Sequence, residues 1–276
     1  MLVRNAATVM LLRDAPDLEV FMLRRSPETI FASGAYVYPG GAVDVADSAH
    51  AVSGRVTGVD DGAASRSLGL PGGGLAFWVA AIRETFEEAG LLLASTRSGT
   101  SADADRLDAH RRSLNSGEVS WSEILDSEDL VMEGGALRVF AHFLTPAGAP
   151  RRYDTWFFAA AAPEGQEGVH DDGEAVHSEW VRPSDALARN ERADIELIMP
   201  TIRSLRWLER FETTAAVLAA ADAAASASAQ DRAPLVVSDT FGERIALDDD
   251  EMAVAVPGWR PLSTWTDAGS EREGVA

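Results

Sequence analysis

The segment Arg83-Glu84-Thr85-Phe86-Glu87-Glu88-Ala89-Gly90-Leu91 carries the strongest structural signal in this chain of 276 residues. It ends a helix that we predict over 75–89, because apolar residues recur there at helical spacing and Gly90 supplies a stop signal. At about 100° per residue, one face carries three acidic residues: Glu84, Glu87 and Glu88. The opposite face carries the apolar residues Leu75, Val79, Ile82, Phe86 and Ala89. The pattern therefore predicts a helix that is buried on one side and presents carboxylates on the other.

The three carboxylates carry two energetic costs. Like charges that are three or four residues apart repel by roughly 0.2–0.5 kcal/mol per pair on a bare helix. The glutamates also lie in the last two turns, where the helix dipole favours cations. A hard divalent cation would offset both costs, because Mg²⁺ prefers carboxylate and water oxygens. Arg83 can also pair with a neighbouring glutamate and fix its orientation. A solvated acidic face is the alternative interpretation of the three glutamates alone.

A second group of residues lies upstream at 38–47 and reads Tyr-Pro-Gly-Gly-Ala-Val-Asp-Val-Ala-Asp. Its paired glycines, Gly40 and Gly41, let backbone approach a ligand or a metal closely. Taken alone, this piece is more typical of a plain Pro-Gly turn.

Together the two segments resemble the Nudix box, Gly-x5-Glu-x7-Arg-Glu-U-x-Glu-Glu-x-Gly-U, in which U is an aliphatic or similar residue. The second half matches at each fixed position from Arg83 to Gly90, and the first half matches at Gly41, with Asp47 in place of Glu. Residues 48–82 stand where the family has seven residues. An insert at this point is a feature of a subfamily that includes the animal peroxisomal coenzyme A diphosphatases. The resemblance covers roughly residues 5–210.

The resemblance implies an α/β fold, the Nudix-type α/β/α sandwich with a mixed β-sheet, and metal-dependent hydrolysis of a nucleoside diphosphate derivative. It makes Glu84, Glu87 and Glu88 the expected ligands of Mg²⁺ or Mn²⁺. The carbonyl of Gly41 would be a further ligand, and Arg83 would orient the carboxylates.

The general base is a box glutamate or a glutamate from a later loop. Glu174 is our candidate, because it lies in an acidic loop before a predicted strand. The alternatives are a solvated acidic loop and a base supplied by His170 or His177, since neutral imidazole suits this work.

Residues just before the box resemble the pattern of CoA-cleaving Nudix enzymes. They make Arg25, Ser26, Gly34, Gly40 and Gly41 the expected substrate-binding residues, whereas Ile30 stands where that pattern has Arg. Because Arg24 and Arg25 alternate along a predicted strand, at most one of them faces the site. CoA or acyl-CoA is therefore one expected substrate. ADP-ribose or a dinucleotide such as NADH is the alternative, and a non-catalytic nucleotide-sensing module is a third hypothesis.

The rest of the chain predicts a Nudix domain over 1–210, an extension of helix and short strands over 211–265, and a disordered tail at 266–276. The Gly- and Ser-rich insert at 48–74 is predicted to be a mobile loop or a lid. The extension would cap the domain or form the interface of a homodimer. The other predicted strands lie at 6–12, 18–24, 137–145, 153–160 and 176–181, and the other predicted helices lie at 102–114, 120–128, 183 onwards, 194–210 and 213–228.

The composition restricts the partners. Acidic residues outnumber basic ones by 44 to 24, which gives a net charge of −20 and argues against a nucleic-acid partner, because phosphate binding needs clustered Lys and Arg. The absence of cysteine excludes disulfides, thiolate catalysis and cysteine-ligated zinc. No targeting or membrane segment stands out, so the cytoplasm is the expected location and no membrane partner is expected. The resemblance implies a small-molecule nucleotide as the partner.

Overall fold

A computed structural model describes residues 3–29, 32–51, 53–99, 103–145, 151–226, 235–239 and 242–244. The strands are β1 (Val3–Asp14), β2 (Leu18–Arg25), β3 (Tyr36–Val37), β4 (Gly40–Ala42), β5 (Ala94–Thr96), β6 (Leu130–Met132), β7 (Arg138–Leu144), β8 (Arg152–Ala161), β9 (Ala175–Val181), β10 (Leu235–Asp239) and β11 (Gly242–Arg244). The α-helices are α1 (Val45–Ala51), α2 (Asp61–Leu68), α3 (Leu75–Ala89), α4 (Ala104–Asn115), α5 (Trp121–Ser127), α6 (Pro183–Glu191), α7 (Met199–Leu208) and α8 (Thr214–Ser226). A 3₁₀ turn lies at Gly134–Ala136.

The main sheet is organised around β1. This strand pairs in parallel with β8 and antiparallel with β2 and β4. On one side β7 pairs antiparallel with β8, and β10 pairs in parallel with β7. On the other side β2 pairs antiparallel with β3 and β9. The sheet is therefore mixed, as predicted, and β5 and β6 form a separate small sheet.

Helices cover both faces of the main sheet. On β1, Ala7, Val9 and Leu11 pack in the same apolar cluster as α3, whereas Met10 and Leu12 pack in a second cluster. The second cluster also contains buried residues of α6, α7 and α8. Alternation along one strand thus feeds two separate cores. This arrangement confirms the α/β/α sandwich.

Helix α3 has the bounds that the sequence predicts, 75–89. Gly90 ends it in the left-handed conformation, with φ of 69°, and donates its N–H to the Phe86 carbonyl. Residues other than glycine rarely adopt this backbone conformation, so glycine at position 90 allows the chain to leave the helix there.

The insert is a structured element, and the prediction of a loop over 48–74 is wrong for its central part. Asp60 caps α2 by accepting a hydrogen bond from the Ala63 N–H at 2.7 Å. Ala64 and Leu68 of α2 are buried in the core cluster that contains α3. The carboxylate of Asp61 also accepts hydrogen bonds from the N–H groups of Gly73 and Leu75, at 3.1 and 3.0 Å. These contacts join the insert to the beginning of α3.

Helix α7 begins later than the predicted helix over 194–210. Tyr36 donates its N–H to the Glu196 carbonyl at 2.8 Å, and Leu197 forms a parallel β-bridge with Tyr36. This pairing holds residues 194–198 out of the helix, although their apolar spacing is helical.

The C-terminal extension packs against the Nudix core. The Ala-rich helix is confirmed as α8, and Val217 lies fully buried in the second cluster. Two of the short strands expected in the extension are present as β10 and β11. The tail at 266–276 lies outside the described residues. No helix in the described part of the chain has the length and apolar character needed to cross a bilayer.

Candidate active site

A cavity of about 860 Å³ lies where the strand β4, the second half of α3 and the beginning of α7 meet. Its lining includes most of the site residues expected from the sequence: Arg25, Ser26, Gly40, Gly41, Glu84, Glu88 and Glu174. Its floor is formed by side chains of β1, β7 and β8 that face the second apolar cluster. The cavity therefore joins residues from both halves of the box.

The paired glycines lie against the carboxylates of α3. The Gly40 N–H donates to Glu88 Oε2 at 2.8 Å. At Gly41, a Cβ atom would lie 2.5 Å from Cδ of Glu84, which is too close for any side chain. Glycine at 41 thus lets the strand backbone and the Glu84 carboxylate occupy adjacent space. The Gly41 carbonyl belongs to this same short strand.

Arg83 joins the two halves of the box. Its Nε and Nη2 donate to the two carboxylate oxygens of Asp47, each at 2.9 Å, and Asp47 is fully buried. Its Nη1 donates to Glu84 at 2.8 Å and to Glu87 at 3.1 Å. Asp47 therefore fills the place of the family's glutamate by fixing Arg83, and Arg83 fixes two of the three helix glutamates.

Burial dominates the electrostatics of the carboxylates. It raises the pKa of Glu84 to about 7, with Arg83 opposing the rise and Glu87 adding to it. Burial also raises the pKa of Glu87, and it raises that of Glu88 well above its ordinary value, reinforced by repulsion from Glu84. The cluster is therefore short of positive charge despite Arg83 and Arg25.

The donor chemistry of this cluster fits a hard divalent cation. Glu84 and Glu88 both line the cavity, and carboxylate oxygens are the ligands that Mg²⁺ and Mn²⁺ prefer. Within the described ranges, no three acidic or histidine side chains already converge as a metal-binding cluster. Glu87 is bonded to Arg83 and does not line the cavity.

Glu174 reaches the cavity from the loop before β9. Its Oε2 lies 3.2 Å from Nη2 of Arg25, and its carbonyl accepts a hydrogen bond from the Ser26 N–H at 2.8 Å. Asp171 accepts hydrogen bonds from the N–H groups of Glu174 and Ala175, both at 2.9 Å. The hydrogen bonds to Ser26 and Asp171 thus hold the Glu174 loop beside the cavity.

Three other predicted candidates lie elsewhere. His170 contacts Ser178 and Asp172, and His177 packs against Tyr36, so both imidazoles lie outside the cavity lining. Gly34 lies in a turn outside it as well. Ile30 falls outside the described residues. Of the two strand arginines, Arg25 lines the cavity and Arg24 is exposed, as alternation predicts.

Two parts of the site are not predicted from the sequence. The first turn of α7 contributes Met199, Pro200 and Thr201 to the cavity, and nothing in its apolar spacing indicates this. Arg111 and Asn115 of α4 both donate to the Glu87 carbonyl, at 2.9 and 3.1 Å. Arg111 places positive charge at the end of α3, where the carboxylates oppose the helix dipole, and Asn115 adds a neutral donor.

A family model described as the NUDT19 Nudix domain matches residues 54–208. The acyl-coenzyme A diphosphatase NUDT19 of Gallus gallus is 28% identical over 260 residues, which cover 76% of this chain and 69% of that protein. The human protein of the same name is 27% identical over 233 residues, which cover 71% of this chain and 62% of that protein. The chain thus spans less than two thirds of the human relative's length.

Among solved structures, a Nudix hydrolase from Alicyclobacillus acidocaldarius is similar to this chain. It superimposes with a TM-score of 0.64 at 27% identity, and the match covers 79% of this chain and 96% of that one. The bacterial enzyme therefore shares both the fold and a detectable sequence relationship.

Proposed function

Because the chain belongs to the NUDT19 Nudix domain family and is therefore a Nudix hydrolase, we propose that it cleaves the diphosphate linkage of CoA or acyl-CoA. One observation carries this proposal. The half-buried carboxylate of Glu84 and the buried one of Glu88 lie against the Gly40-Gly41 backbone in a cavity of about 860 Å³, with Arg25 beside Glu88. The acyl-CoA diphosphatases of chicken and human support the choice of substrate.

Nudix hydrolases generally use divalent metals, and we propose Mg²⁺ or Mn²⁺ for this chain. Glu84, Glu87, Glu88 and the Gly41 carbonyl would hold the metal. When bound, such cations neutralise a diphosphate and acidify the attacking water. Their charge would dominate the local field, so the overall negative charge of the protein does not prevent a phosphate from binding.

The chain's own residues would orient the substrate and move the proton. Arg25 would contact a phosphate oxygen, with Ser26 beside it. The Gly40 N–H holds the Glu88 carboxylate in place. Glu174 would accept the proton of the attacking water, because its carboxylate lies at the cavity and its loop is fixed by Asp171. The P–O–P bridge would then break between the two phosphorus atoms.

The test compares substrates under one metal condition. We expect kcat/KM to be highest for CoA or acyl-CoA, and mass spectrometry to find 3′,5′-ADP with 4′-phosphopantetheine or its acyl form. A preference of about tenfold or more for ADP-ribose or NADH would overturn the CoA proposal and leave the Nudix hydrolase in place. Absence of turnover on all four compounds would instead favour a nucleotide-sensing role.

We also propose a domain boundary near residue 210, a homodimer and a cytoplasmic location. The boundary between a Nudix domain over 1–210 and an extension over 211–265 can be checked by limited proteolysis. A homodimer can be checked by light scattering after gel filtration. A cytoplasmic location, expected because no targeting or membrane segment stands out in the sequence, can be checked by cell fractionation.

A further inference from the structure

The cavity has a second wall that the carboxylate cluster does not explain. The first turn of α7 contributes Met199, Pro200 and Thr201, and the floor beside it carries the rings of Phe143 and Phe157. This set is called the α7 wall below. It is mainly apolar and contrasts with the charged end at Glu84 and Glu88.

The α7 wall is fixed relative to the carboxylates. The Tyr38 hydroxyl lies 3.0 Å from Ser204 Oγ, one helical turn beyond Thr201. Two residues further along the chain from Tyr38, the Gly40 N–H donates to Glu88. Two residues of extended chain span roughly 7 Å. If the diphosphate of a substrate lies at Glu88, the group attached to that diphosphate can therefore extend to the α7 wall.

Thr201 is the residue of the α7 wall that has a polar side chain. It is only 2% exposed, and it lines the cavity. Ser204, one turn further along α7, donates its hydroxyl to the carbonyls of Pro200 and Thr201. A hydroxyl in the cavity lining can donate to or accept from a ligand, so a ligand that carries an amide gains a hydrogen bond at this position.

The surroundings of Thr201 favour a neutral ligand. In the described part of the chain, Arg151 is the one cationic side chain lining the cavity besides Arg25, and it is exposed to solvent. A phosphate placed against Phe143, Phe157 and Met199 would lose its hydration without gaining a buried ion pair. An uncharged chain with spaced amide groups fits this wall better than a phosphate does, because its methylene groups can pack on the apolar side chains and an amide can hydrogen-bond the hydroxyl.

We propose that the α7 wall binds the pantetheine arm of CoA and that the Thr201 hydroxyl hydrogen-bonds one amide of that arm. This inference rests on the proposed function and assigns the specificity for the amide-bearing half of the substrate to α7. The nucleotide half then lies away from α7.

The experiment measures inhibition of CoA hydrolysis by each product separately. Thr201→Val keeps the shape of the side chain and removes the hydroxyl, whereas Thr201→Ser keeps the hydroxyl and serves as the matched control. In Thr201→Val we expect the inhibition constant of 4′-phosphopantetheine to rise between about twofold and tenfold, the range for one neutral hydrogen bond. The constant for 3′,5′-ADP should stay within about twofold, and Thr201→Ser should resemble the wild type for both products.

A second variant covers the case in which Thr201→Val does not fold. Met199→Ala removes an apolar side chain from the same wall, and it should also weaken 4′-phosphopantetheine selectively. A rise confined to 3′,5′-ADP would mean that the α7 wall holds the nucleotide half, and unchanged constants for both products would mean that the wall contacts neither; each result overturns the inference while the diphosphatase activity stands. A wild-type enzyme that hydrolyses neither CoA nor acyl-CoA would overturn the proposed function and this inference together.

Discussion

Arg83 contacts the acidic residues around it in different ways. It donates two hydrogen bonds to the buried carboxylate of Asp47, one to Glu84, and a forked one to both carboxylate oxygens of Glu87. Glu88 instead accepts from the Gly40 backbone and lies 3.9 Å from Arg25. The division leaves Glu88 as the carboxylate that is least neutralised by a directly bonded arginine. It is therefore the best single position at which to test the metal assignment.

At that position we expect Glu88→Gln to lower kcat/KM by about a hundredfold or more, because it removes an anionic oxygen without changing volume. Circular dichroism should show an intact fold. Glu212→Gln is the matched control, since Glu212 follows α7 in the chain and is exposed to solvent. Activity near that of the wild type in saturating Mg²⁺ would contradict the assignment.

Glu84 gives a prediction about pH. Burial raises its pKa to about 7 in the folded chain, so the native state binds this proton more tightly than the unfolded state does. Its contribution to stability is therefore complete at pH values below the unfolded pKa and is lost as the pH rises through about 7. In EDTA, the stability of the wild type relative to Glu84→Gln should fall between about pH 4.5 and pH 7.5, measured by thermal melting. A difference that is constant across this range would show that the Glu84 pKa is not raised.

Among the elements, those fixed by local signals were predicted and those fixed by distant contacts were not. Helix α3 carries its own apolar stripe and its own glycine stop, so its bounds followed from the sequence. Helix α2 depends on Asp61, whose carboxylate binds N–H groups twelve and fourteen residues away. The first turn of α7 reaches the cavity because Leu197 pairs with Tyr36. Neither contact can be inferred from the local spacing of apolar residues.

The packing of the insert can be tested by hydrogen exchange. We expect the amides of α2 to exchange slowly with deuterium, as those of 79–89 should, because Ala64 and Leu68 are buried in the core cluster of α3. The exposed turn at Ser53 and Gly54 is an internal control and should exchange fast. Rapid exchange along the whole of 48–74 would restore the interpretation of the insert as a mobile lid.

At the scale of the whole molecule, α8 belongs to the packed structure. The carboxylate of Asp14, at the end of β1, accepts hydrogen bonds from the Thr214 N–H and hydroxyl at 2.8 and 2.9 Å. Val217 lies in the same cluster as Leu205 and Leu208 of α7. The extension therefore covers the face of the sheet opposite α3, and through α7 it borders the cavity.

Removing two methyl groups from that contact should be measurable. Val217→Ala should lower the free energy of unfolding by about 1–3 kcal/mol, because Val217 is fully buried. Val45→Ala makes the same chemical change at a residue that is 91% exposed, and it should leave stability within about 0.5 kcal/mol. Urea titrations of both variants give the comparison, and equal stabilities would mean that α8 does not pack on the core in solution.

The parallel pairing of β1 with β8 has a consequence for biosynthesis. Ala6 lies opposite Thr155, so one edge of the first strand has no partner until roughly 150 further residues have been synthesised. At about 5–20 residues per second, that interval lasts roughly 8–30 s on the ribosome. The opposite edge of β1 acquires β2 and β4 early, and α3 is complete before β8 exists. The nascent chain therefore carries an open apolar strand edge for most of its synthesis, and in that interval it is most exposed to edge-to-edge aggregation.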